Sequence, residues 1–146
     1  MDRNKIIGPG LLLGIGLGGF VDGILIHQIL GWHHMVSSRT SDLRLNTVAD
    51  GLFHAGTWVA VLVGVLWLAR GPRPPLRALV GLLLAGWGLF NLVEGLIDHH
   101  LLGVHHVRHG PHQLAYDLGF LAVSAVILAA GWLLFRTSAS RPARPQ

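Results

Sequence analysis

The sequence predicts an all-α, polytopic membrane protein: a four-helix bundle built from two tandem two-helix repeats, related by a pseudo-twofold axis along the membrane normal. Three observations lead there. The 146-residue chain is 51% hydrophobic and 12% charged, with a mean hydropathy of +0.54, too apolar for a soluble fold. It holds four apolar stretches, each reaching the roughly 20 residues a helix needs to cross about 30 Å of hydrocarbon. One polar pattern is also written twice inside those stretches, 72 residues apart.

The chain reads as a single membrane domain, residues 1–146, with its first span at about residues 6–30. That segment is too long for a signal peptide and no small-residue cleavage site follows it, so it is expected to stay in the membrane. Along it Gly10, Gly14, Gly18 and Asp22 step by four, a small-residue stripe for close helix approach that Asp22 continues. The second span, 47–69, sets Asn46, Asp50, His54 and Thr57 on one face. The third, 76–101, places Glu94 and Asp98 one turn apart. The fourth, 114–135, echoes the second with Gln113, Asp117 and Ser124, and residues 136–146 form an Arg/Pro-rich tail. None of the spans alternates in the manner of a barrel strand.

Charge sets the orientation. Arg3, Lys5, Arg70, Arg73, Arg77, Arg136, Arg141 and Arg144 fall on one side, against Arg39, Arg44 and Arg108 on the other. The positive-inside rule therefore places both termini in the cytoplasm. This asymmetry accounts for the net charge of +4, and nucleic acid need not be invoked. With no cysteine, disulfides, thiolate metal sites and thiol nucleophiles are excluded together.

The duplicated pattern runs Asp22-Gly23, His27, Leu30-Gly31, His33-His34 in its first copy. The second copy reads Glu94-Gly95, His99, Leu102-Gly103, His105-His106. Shifted by 67 residues, Asn46, Asp50, Phe53 and Thr57 meet Gln113, Asp117, Phe120 and Ser124. Ionisable residues cost about 2.5–3.5 kcal/mol each inside hydrocarbon, so a repeated set of them calls for a purpose. Carboxylates and imidazoles suit Zn, Fe, Mn or Cu(II), and helix bundles hold such ions on inward Glu, Asp and His. A cation would also supply the counter-charge that buried acids lack.

The expected site is thus a metal centre of one or two ions in the extracytoplasmic half. Its candidate ligands are Asp50, His54, Asp98, His27, His99 and Asp117, with His33, His34, His105 and His106 at its rim. On helical spacing Asp50 with His54, and Glu94 with Asp98, are the leading pairs. His27 and His99 each lie about 140° around an α-helix from their own acid, which weakens them. If the centre is an enzyme, an oxidase or hydrolase acting on a small or lipid-like substrate, Glu94 or Asp22 is the proton acceptor. Other readings stay open: hydrogen-bonded core histidines, a b-type haem on His27, His54 or His99, a proton or metal transporter, or a scaffold without an ion.

The run Gly19-Phe20-Val21-Asp22-Gly23 through His27-Gln28 to Trp32-His33-His34 resembles a family of small bacterial membrane proteins classed as a domain of unknown function, DUF2243. So do Ala49-Asp50-Gly51-Leu52-Phe53-His54 and Phe90-Asn91-Leu92-Val93-Glu94-Gly95-Leu96-Ile97-Asp98-His99-His100. The resemblance covers nearly all of the chain between Gly8 and Phe135. It implies four spans, and an association with respiratory oxidases and their copper assembly factors as partners, but supplies no reaction.

Overall fold

The computed structural model describes residues 3–138; residues 139–146 of the expected tail, with Arg141 and Arg144, lie outside them. Helix α1 (Asn4–Asp22) runs on into a π-helical segment (Gly23–Ile29). After a loop come α2 (Leu43–Ala69) and α3 (Leu76–Glu94), the latter continued by a second π-helical segment (Gly95–Leu101). Helix α4 (Gln113–Ser138) follows. There is no strand among the described residues, and all four helical runs are long and apolar enough to cross a membrane. Helix α2 starts four residues before the expected Thr47, because Asp42 caps it. The Asp42 carboxylate accepts from the Arg44 and Leu45 N–H groups at 2.8 and 3.3 Å, satisfying two otherwise orphaned donors.

The four helices pack as an open row. Helices α1 and α3 form the central pair, α2 lies against α1, and α4 lies against α3, while α2 and α4 do not pack together. Glycines create this order by letting backbones meet. A Cβ on Gly14 would stand 2.9 Å from the Leu83 Cα, on the α1–α3 contact. On Gly64 it would stand 2.9 Å from the Leu13 nitrogen, and on Gly81 2.9 Å from the Phe135 Cα, at the two outer contacts. Lipid tails are as apolar as leucine, so close backbone packing takes the place of a hydrophobic drive between helices. The outer helices turn Trp58, Leu62, Val126 and Leu133 outward. At the end carrying the described termini, Ile6, Ala78, Leu82 and Phe135 make a small dry core, with the Arg3 guanidinium 4.5 Å over the Phe135 ring.

At the opposite end the two central helices widen. Leu30 donates to the Leu25 carbonyl at 2.9 Å and Leu102 to the Ile97 carbonyl at 2.7 Å, the i→i+5 bonding of a π-turn. Gly31 and Gly103 then take positive φ, 57° and 56°. L-residues enter that region only at a cost, so glycine ends each helix there. The chain folds back, and the two His-His pairs come over the helix ends. The two loops are tied together by a Ser38 N–H bond to the Val104 carbonyl at 3.0 Å and by Arg39 donating to the Leu102 carbonyl.

Candidate metal centre

The π-turns decide which way the histidines point. On an α-helix, residues five apart diverge; with i→i+5 bonding they come nearly into line along the axis. His27 therefore faces its own acid, with Nε2 3.3 Å from Asp22 Oδ2, and His99 Nε2 stands 3.4 Å from Glu94 Oε1. All four groups are buried. The sequence-based angle of 140° failed because it assumed an unbroken α-helix. Gly23 admits the widened turn tightly packed: a Cβ there would lie 2.6 Å from His54 Nε2.

The outer helices brace this core. Asp50 accepts from His27 Nδ1 at 3.1 Å, from His34 Nδ1 at 2.7 Å and from the Met35 N–H at 2.8 Å. Asp117 accepts from His106 Nδ1 at 2.8 Å and from the Val107 N–H at 3.0 Å, with His99 Nδ1 3.5 Å away. His33 Nδ1 donates to the Val107 carbonyl and His105 Nδ1 to the Met35 carbonyl, both at 3.0 Å. The two peptide groups, Met35 and Val107, thus each hold an aspartate of one hairpin and a histidine of the other.

The tautomers follow from these partners. A carbonyl oxygen only accepts, so Nδ1 of His33 and of His105 each carries a proton, and a neutral His33 ring turns a bare Nε2 inward. Burial beside His105 and His27 pushes the His33 imidazole down to about 3, so this ring stays neutral. The Asp50 carboxylate orients His27 through Nδ1, leaving Nε2 toward Asp22. His33 and His105 stack with centroids 4.6 Å apart; His27 lies 4.4 Å from His33 and His99 4.9 Å from His105. Nε2 of His27, His33 and His99, Asp22 Oδ2 and Glu94 Oε2 are buried without a hydrogen-bond partner among the described residues. His105 Nε2 meets Glu94 Oε1 at 2.8 Å, a hydrogen-bond distance.

Two groups have ligand atoms all within 4.8 Å of one another and could hold a metal ion: His27, His33 and His105, and Glu94, His99 and His105. His105 belongs to both groups, so the two adjoin.

The two hairpins make the same contacts in the same order, acid to histidine to aspartate, around that centre. The family described as predicted membrane protein, DUF2243, matches residues 9–138. The chain belongs to this family. Neither a curated relative nor a solved structure matches the chain.

The candidate residues named from sequence part into distinct sets. Asp22, Glu94, His27, His99, His33 and His105 converge with their ligand atoms inward. Asp50, Asp117, His34 and His106 stand behind them and orient rings. His54 turns back on its own helix, its Nδ1 donating to the Asp50 carbonyl at 2.7 Å and its ring packed by Phe20 and Phe53. Asp98 is half-buried, outside both ligand groups. Of the expected leading pairs, Glu94 lies in a ligand group, while Asp50, His54 and Asp98 lie outside both. Sequence reasoning missed the Met35 and Val107 peptide groups, which no side-chain pattern reveals. It also left Asn91 without a role; its Oδ1 is buried and lacks a partner.

Proposed function

We propose that this protein is a membrane-embedded carrier of a non-haem transition-metal centre, one or two ions held by Asp22, His27, His33, Glu94, His99 and His105. The observation that supports the reading is the set of buried polar atoms without a hydrogen-bond partner, Nε2 of His27, His33 and His99 with Asp22 Oδ2 and Glu94 Oε2, at two groups that could hold an ion. A buried polar atom without a partner costs about 1–3 kcal/mol, and a bound cation offsets several at once. Nδ1 tied to a carboxylate or carbonyl with Nε2 free is the arrangement by which proteins orient metal-binding histidines. The donor set of nitrogen and oxygen without sulfur suits Zn, Fe, Mn or Cu(II).

The packing favours a bare ion over haem b, since ring centroids 4.4–4.9 Å apart leave no slot for a macrocycle. A transport path is disfavoured by the tight glycine contacts Gly14–Leu83 and Gly81–Phe135, which close the other half of the row. The centre then lies toward the extracytoplasmic side, both termini in the cytoplasm, and the two hairpins represent a tandem duplication. As an enzyme it would be an oxidase or hydrolase for a small or lipid-like molecule, with Asp22 or Glu94 taking the proton. A role beside respiratory oxidases or their assembly factors fits such a centre.

Elemental analysis of detergent-purified protein, before and after reconstitution, tests the reading. Wild type is expected to hold one or two equivalents of one transition metal, and His33→Ala/His105→Ala less than about half an equivalent with helicity unchanged. Wild type without metal after reconstitution overturns it.

A further inference from the structure

Because α4 leans on α3 and leaves α1 untouched, a cleft of about 240 Å³ opens between α1 and α4 with α3 as its floor. Its mouth faces outward between exposed Leu25 and Val123, where lipid would lie. Its lining is almost entirely apolar, and Trp87 and Phe120 bring flat rings to it. Yet the cleft also reaches Asp22 and Asn91, both more than nine-tenths buried; Asn91 Oδ1 has no hydrogen-bond partner among the described residues, and Asp22 Oδ2 has His27 Nε2 3.3 Å away. Ser124, also on the lining, spends its proton on the Phe120 carbonyl at 2.5 Å and has only lone pairs left. An orphaned Asn91 oxygen with the lone pairs of Asp22 and Ser124 beside it, set in an apolar slot, is complementary to a head group that donates.

We infer that this cleft binds a membrane-dissolved amphiphile with a flat, hydroxyl-bearing ring and an apolar tail, of the phenol or hydroquinone class, presenting its O–H groups to Asn91 and Asp22. The inference rests on the metal-centre reading for what the cleft serves, since it names the molecule that reaches Asp22; its shape is independent of that reading. Size agrees. A dry cavity of about 150 Å³ takes one benzene ring, so 240 Å³ holds one ring and the first carbons of a tail. The opposite side of the row is not equipped alike: 72 residues earlier, Trp87 and Asn91 correspond to Ile15 and Gly19. Recognition therefore belongs to one side of a centre whose ligands come from both.

The test is photolabelling of metal-loaded protein in lipid nanodiscs with a phenol whose ten-carbon tail carries a diazirine, adducts being mapped by mass spectrometry. Adducts are expected to concentrate on Leu25, Val123 and Ile127 and to be competed by decylhydroquinone. Asn91→Leu, which keeps the volume and removes the acceptor, lowers this labelling about three- to tenfold. Ile127→Trp, which fills the slot, abolishes it. A tail diazirine on plain benzene should label all lipid-facing residues evenly. Cleft labelling no higher than on the rest of the outer surface, or undiminished in Asn91→Leu, overturns the inference. Metal content is read on the same samples. Metal bound without cleft labelling overturns this inference alone, and cleft labelling without metal overturns the proposed centre alone.

Discussion

Replacing Asp50 separates positioning from ligation. Its carboxylate touches no inward atom, but it accepts from His27, His34 and Met35 at 2.7–3.1 Å. In Asp50→Asn one oxygen survives. It can still serve Met35 and His27, which both meet Oδ1, while the His34 contact falls to the amide nitrogen. What is lost is the negative charge that makes His27 a stronger donor to a cation. Removing such an outer partner costs 10–100-fold in metal affinity, and here the retained oxygen places Asn at the low end, about tenfold or 1.4 kcal/mol. Asp50→Ala also releases the ring and the Met35 peptide, which carries the His105 acceptor, and should approach 100-fold. Asp117→Asn should cost less than Asp50→Asn, because His99 Nδ1 stands off at 3.5 Å. The assay is competition for Co(II) or Zn(II) against a chromophoric chelator in detergent, with circular dichroism as the check on folding. If Asp50→Asn binds within about twofold of wild type, or Asp117→Asn is the weaker binder, the bracing argument is wrong.

Four further outcomes follow from the geometry. His54→Leu should retain full metal, since His54 Nδ1 bonds its own helix and the residue is in neither ligand group; loss of metal on elemental analysis would return it to the centre. Gly86→Val should disrupt the α1–α3 contact, where a Cβ already falls 2.9 Å from the Gly14 Cα, and lower both the melting temperature and the metal content. Gly119→Ala, with open space around its Cβ, should be neutral or stabilising by about 0.5–1 kcal/mol in thermal unfolding. Gly31→Ala meets no atom within 4 Å, but at φ 57° it should destabilise by about 1–2 kcal/mol and weaken metal binding through His33; unchanged melting would contradict the turn described here.

The helix count and the buried acids were legible because both are matters of composition along the chain. Twenty apolar residues must span, and a carboxylate among them must be turned inward. Which histidines meet those acids was not legible from α-helical angles, because the answer lies in a change of helix type. A spacing of five, Asp22 to His27 and Glu94 to His99, is useless on an α-helix and aligned on a π-turn, and its occurrence twice was the signal available. Asp50 and His54 misled for the complementary reason. Their spacing of four is ideal on a regular helix, but an Asp–His pair at that spacing can be consumed locally, as the His54 bond to the Asp50 carbonyl shows. The π-turn also explains why the site is built at helix ends: widening a helix leaves backbone groups poorly paired, and the glycine turns at Gly31 and Gly103 allow the next residues to return and cover them. Those returning residues are the His-His pairs, of which one ring points in and the other holds an aspartate. A pair of adjacent histidines, unable to chelate one ion together, here does two jobs that the same turn brings within reach.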